Sequence, residues 1–138
     1  MKLVVDANVL FSALIKDSMT RRLFFEEGLE LYAPEFLFEE FAKYKREIME
    51  KTKRSEAEFE EMLIILRGRI AEIPSSGFGG SMKKALEISA DKKDAAYFAV
   101  ALALNAAIWS NDKRLKEQKV VRVLNTAEIN EKATRGSL

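Results

Sequence analysis

Two rhythms of apolar positions run along this chain, and they divide it into strands and helices. Short apolar runs predict strands at Lys2 to Asp6, Leu31 to Ala33, Ile70 to Ile73, Ala107 to Ser110 and Val120 to Leu124. Helical spacing fills the intervals. A helix is expected from Met19 to Glu27, stopped by Gly28. After Pro34 the stripe Leu37, Phe41, Tyr44 and Ile48, at spacings of four, three and four, predicts one long helix to about Lys51. Ser55 with Glu58 forms a capping box and starts another helix, with Phe59, Met62, Leu63, Leu66 and Ile70 on its apolar side. A short helix from Met82 to Ser89 precedes Lys92 to Asn105, where apolar residues cover every face, the mark of a buried helix. A further short helix starts at Lys113. The segment from Pro74 to Ser81, with three glycines and three serines, reads as a flexible surface loop without a phosphate-binding signature.

Strands alternating with helices, with no hairpin signals, predict an α/β fold: a mostly parallel sheet covered on both faces. At 138 residues and 48% hydrophobic content the chain fits a single domain. That domain is expected over residues 1–132, with a helical segment over 35–69 and a frayed tail at 133–138. No internal repeat is evident. No apolar stretch reaches membrane-spanning length, and the sequence opens directly into a strand-like run, so no membrane association and a cytoplasmic location are expected.

The net charge of +1 removes a global basic field of the kind that marks a nucleic-acid binder, leaving local patches. Arg21 and Arg22 form one, and Lys113, Arg114, Lys116, Lys119 and Arg122 another; such runs are ordinarily solvated faces. With no His and no Cys, a disulfide framework is impossible and any metal site must use oxygen ligands. Oxygen ligands select magnesium, manganese or calcium over zinc.

Four acidic residues fall where such a site is expected. Ligands of open parallel sheets bind beyond the C-terminal ends of the strands, and Asp6 and Asp112 each follow a strand there. A loop Asp also makes Asx-turns or caps helices, which is the plain alternative for both. Glu39 and Glu40 are separated by helical register: Glu39 aligns with Glu35, Lys43 and Arg46 on a charged face, whereas Glu40 flanks the apolar stripe beside Phe36, Leu37 and Tyr44. Asp91 and Asp94 begin the buried helix, where helix capping alone is a sufficient reason for both. Asp94 nevertheless shares a face with Phe98, Ala101 and Asn105 on a helix lacking a solvent side. Four carboxylates at one rim repel one another unless a cation neutralises them, so the pattern predicts a carboxylate cage for a divalent ion.

Val5-Asp6-Ala7-Asn8, Pro34 with Glu40 six residues on, Asp94-Ala95-Ala96, and Ser110-Asn111-Asp112 together resemble the PIN-domain nucleases, over nearly the whole chain. The resemblance implies a three-layer α/β/α sandwich with a five-stranded parallel sheet. It also implies that Asp6, Glu40, Asp94 and Asp112 are the catalytic acids, with Asp91 accessory and Asn8 and Ser110 supporting the carboxylates. Relatives include toxin ribonucleases of toxin-antitoxin pairs, which usually form homodimers silenced by an antitoxin. The long helical stretch from about residue 41 to 69 departs from the compact toxin pattern.

The expected activity is metal-dependent hydrolysis of RNA phosphodiester bonds. Asp6, Asp94 and Asp112 are the expected ligands of Mg2+ or Mn2+, Glu40 completes the set, and Lys113, Arg114 and Lys116 hold the nucleic-acid backbone. Two other classes compete. An inert PIN-like module would bind RNA or protein without cutting. A phosphatase with Asp6 as nucleophile needs a second Asp two residues on, and Asn8 stands there.

Overall fold

The computed structural model describes residues 1–15 and 18–138. Five strands, β1 (Lys2–Val5), β2 (Glu30–Pro34), β3 (Ile70–Ile73), β4 (Ala107–Trp109) and β5 (Val123–Leu124), form one sheet in the order β3-β2-β1-β4-β5. All four pairings are parallel. The α/β architecture is therefore the expected one. Helices α1 (Ala7–Ile15), α2 (Ser18–Leu23), α3 (Phe36–Lys43), α4 (Lys45–Thr52), α5 (Glu56–Arg67), α6 (Met82–Ile88), α7 (Ala95–Leu104) and α8 (Thr126–Thr134) cover it. None is long and apolar enough to cross a membrane.

The central strands β1 and β4 are apolar because both their faces are covered, as parallel strands require. Leu3, Val4, Val5, Ile108 and Trp109 are all fully buried. Helix α7 packs against β1, β2 and β4, while α1 packs with α2, α4 and α5. Phe24 meets Trp109 in the core at 5.3 Å between ring centres. The chain runs outward from β1 through β2 to β3, then crosses back to β4 on the other side of β1. This reversal opens a crevice beyond the C-terminal ends of β1 and β4.

Several expected boundaries moved, each for a local reason. The long helix after Pro34 is two helices, broken at Tyr44, whose φ and ψ are −102° and 9°. Leu37, Phe41 and Ile48 keep their buried stripe across the break, while Tyr44 leaves it and is 54% exposed. The fifth strand starts at Val123 because the Gln118 side chain serves the preceding backbone, accepting from the N–H groups of Val120 and Val121 and donating to the carbonyls of Leu115 and Val121. The Gly-Ser segment is not an open loop. It forms two 3-10 turns, Ser75–Gly77 and Gly79–Ser81, anchored by the buried Phe78 between them.

Two helices were not anticipated. α1 is mostly apolar and follows β1 with one intervening residue, Asp6, so the apolar run of the strand passes into the helix almost without a break. α8 carries the signature that would have revealed it: Asn125 and Glu128 form a reciprocal capping box. The C-terminus is correspondingly not frayed from 133, since α8 runs to Thr134 and Leu138 packs against the core and beside Gly28. Asn125→Ala should lower unfolding stability by about 0.5–2 kcal/mol. Urea denaturation checks this, and an unchanged midpoint and slope would show that the box contributes nothing.

Candidate active site

Asp6 directly follows the central strand β1 and is buried, 8% exposed. Its Oδ2 accepts a 2.6 Å hydrogen bond from the hydroxyl of Ser110, the residue following β4. The backbone N–H groups of Ala7 and Asn8, at the start of α1, also favour its charged form. Burial outweighs these donors, and with the nearby Asp112 charge it raises the Asp6 carboxyl above the usual carboxylate range. The Ser110 oxygen in turn accepts from the backbone N–H of Asp112, at 3.0 Å. One buried hydroxyl thus ties two of the acidic positions together.

Asp94 precedes α7 but makes no capping hydrogen bond. Asp91 does cap, accepting from the backbone N–H of Lys93 at 2.9 Å. The Asp94 carboxyl is raised by burial first, then by the charges of Asp6, Asp91 and Asp112, with Arg114 partly offsetting them. Glu40, half-exposed on α3, faces the same cleft, while Glu39 is exposed. Asp6, Asn8, Glu40 and Asp94 line one cleft of about 840 Å³, together with Lys43, Lys93 and Tyr97.

Asp112 is placed differently. It lines a neighbouring hollow with Ser110 and Lys113, and its carboxylate is gripped by Arg114 through bonds of 3.2 and 2.8 Å. It also caps the 3-10 turn Lys113–Glu117, accepting from the backbone N–H of Arg114. The Arg114 guanidinium holds the Asp112 carboxyl below the usual range. The signs of the pH linkage therefore differ within the site. The contribution of Asp112 to stability is present above about pH 3.9 and lost as pH falls through its depressed folded value. Those of Asp6 and Asp94 are present below about pH 3.9 and lost as pH rises through their raised values.

Among the described residues, no three acidic side chains are gathered closely enough to form a ready metal cage. The physical reason is that like charges move toward available cations: Asp112 to Arg114, and Glu40 to Lys43 at 3.4 Å. The donor set still fits a hard divalent ion in kind. Its side-chain donors are all oxygens, and the Asp6 charge lies near enough to Asp94 to raise the proton affinity of the Asp94 carboxyl.

The basic residues also depart from expectation. Arg114 is committed to Asp112 and Lys116 to Glu128, and Arg21 donates to the Ala13 carbonyl near the end of α1. Lys43 and Lys93, not singled out in the sequence, are the lysines of the cleft. Tyr97 was missed as well, because it stands among core residues of a uniformly apolar helix. Its hydroxyl is pushed up by burial and by the charges of Asp6, Asp94 and Glu40, so it stays protonated, a donor among acceptors. An aromatic three residues after Asp94, on the same helix face, was the available signal.

A family model described as PIN domain matches residues 4–133. The chain belongs to the PIN domain family. Among solved structures, a chain in the crystal structure of VapBC2 from Rickettsia felis, bound to a DNA fragment from their promoter, superposes with a TM-score of 0.66 at 16% identity. The match covers 91% of this chain and 98% of that one, so the PIN fold extends across both. No curated protein matches the chain.

Proposed function

We propose that this PIN domain is a metal-dependent endoribonuclease, with Asp6, Glu40 and Asp94 as its core acids and Asp112 as a fourth. The observation that carries the reading is the crowding of Asp6 and Asp94 at the crevice of the sheet, where both carboxyls are raised toward protonation. A buried carboxyl and a part-buried one, both shifted toward protonation in one cleft, are the pattern that functional sites favour. Asp6 and Asp94 would hold Mg2+ or Mn2+, with Glu40 and Asp112 completing the set; the ion supplies charge neutralisation at the phosphate and an acidified water. Ser110 and the N–H groups at the start of α1 fix the Asp6 carboxylate. Asn8 and Asp91 stand as accessory residues beside it and beside Asp94. The Tyr97 hydroxyl can donate to a carboxylate or to a phosphate oxygen. Lys43 and Lys93 hold the substrate backbone, with Lys113 at the rim and Arg114 and Lys116 available only by giving up their ion pairs.

The likeness to a VapBC2 chain supports a toxin role with an antitoxin protein as partner; a homodimeric assembly and a cytoplasmic location complete the proposal. That no three acidic side chains among the described residues form a ready metal cage favours a second reading, an inert PIN-like module that binds RNA or protein. One experiment separates the two. Purified protein with single-stranded RNA should cleave in Mg2+ or Mn2+ and stop on addition of chelator. Cleavage that persists in chelator would assign the activity elsewhere, and binding without cleavage in either metal would favour the inert module.

A further inference from the structure

The cleft that Asp6 lines also carries five aromatic side chains, Phe11, Phe36, Phe41, Tyr44 and Tyr97. Four of these rings have occupations. Phe41 and Tyr97 are each only 6% exposed, Phe36 meets Tyr97 edge-on at 5.7 Å, and Phe11 lies under the Lys51 ammonium at 5.5 Å. Tyr44 differs. It is 54% exposed, and among the described residues no ring or cation is stacked on it. Its exposure follows from the backbone break that removes it from the buried stripe of Leu37, Phe41 and Ile48. The ring lines the same cleft as Glu40, four residues after it in the chain.

Resting on the nuclease reading above, we propose that Tyr44 is the platform on which an unpaired nucleobase of the substrate strand stacks, beside the phosphate held at the carboxylates. A flat ring open to solvent offers a face to any base whose own face is free. Bases inside a duplex are already stacked, so the platform selects single-stranded or looped nucleic acid. The neighbours of the ring support a nucleotide over an apolar protein anchor. Lys43, Glu47 and Lys93 line the same cleft, and the two lysines offer cations to the phosphates of a strand stacked there. Aromatic face and flanking cations repeat the unit of a single strand.

The test uses Tyr44→Ala and Tyr44→Phe in the full chain, with a short single-stranded RNA and a duplex of the same sequence as substrates. Stacking binds ground state and transition state alike, so its loss should raise KM and spare kcat. Tyr44→Ala should raise KM on the single strand by about 5- to 100-fold, and Tyr44→Phe should restore it. A 2-aminopurine base in the same strand, bound in the Asp6→Asn background, should be quenched with Tyr or Phe at position 44 and not with Ala. Tyr44→Ala with unchanged KM and quenching would overturn the platform and leave the nuclease reading standing. An equal loss on duplex and single strand would also overturn it, pointing to support of α3 and α4 instead. A wild-type protein that neither cleaves nor binds either RNA would overturn both readings.

Discussion

Replacing Asp6 by Asn should reduce RNA cleavage by about a hundred- to a thousandfold while leaving the fold intact. The loss follows because the carboxylate stands at the crevice between β1 and β4, where removing a ligand charge forfeits several kcal/mol of transition-state stabilisation. Folding is spared for a separate reason. Burial already makes the charged form of Asp6 costly, and Asn keeps an oxygen able to accept from the Ser110 hydroxyl. Single-turnover cleavage together with a thermal melt separates the two quantities. Full activity with a normal melt would remove Asp6 from the chemistry, and a lowered melting temperature would make it a structural residue.

The second large effect concerns Asp94 and runs in two opposite directions. Without metal, Asp94→Asn should melt at or above wild type at neutral pH, because its ionised carboxyl is disfavoured by burial and by Asp6, Asp91 and Asp112. The advantage should fade below about pH 4, where wild type gains the protonated carboxyl that its raised folded value favours. With magnesium the order should reverse. A ligand bound only by the native state adds about 2.7 kcal/mol at a hundredfold excess over its Kd, and wild type should gain more of this than the mutant. If Asp94 served only the helix dipole, its loss would cost about 0.3–1 kcal/mol and magnesium would treat the two proteins alike. Paired melts at fixed ionic strength, with and without the ion, decide between these accounts.

The sheet and the position of Asp6 were legible because parallel strands buried on both faces leave long apolar runs, and because a carboxylate directly after such a run is conspicuous. Asp6 after Leu3-Val4-Val5 is the clearest instance. What stayed hidden was set by tertiary context. The register that places Glu40 on the inner flank of α3 is local and could be read, whereas the break at Tyr44 carries neither Gly nor Pro and arises where the chain bends to keep both Phe41 and Ile48 buried. The partner of Asp112 was hidden for a related reason: a run of cations reads as a solvated face until Arg114 is seen folded back two residues onto its carboxylate. α8 was a different case, since the Asn125 and Glu128 capping box announces it in the sequence.

The shortness of β5 has a bearing on how the molecule behaves in company. A sheet open at both ends presents unpaired backbone groups that invite another chain to add a strand. Here one end is a strand of two residues, Val123–Leu124, and the preceding backbone is already occupied by the Gln118 amide. The other end, β3, carries Glu72, paired at 2.8 Å with Arg67, whose guanidinium lies over the Phe38 ring. Neither border offers a long, flat, uncharged template, so edge-to-edge aggregation is discouraged. Any specific self-association is thereby directed to the helical faces, where exposed Ile64 and Ile65 on α5 provide apolar surface.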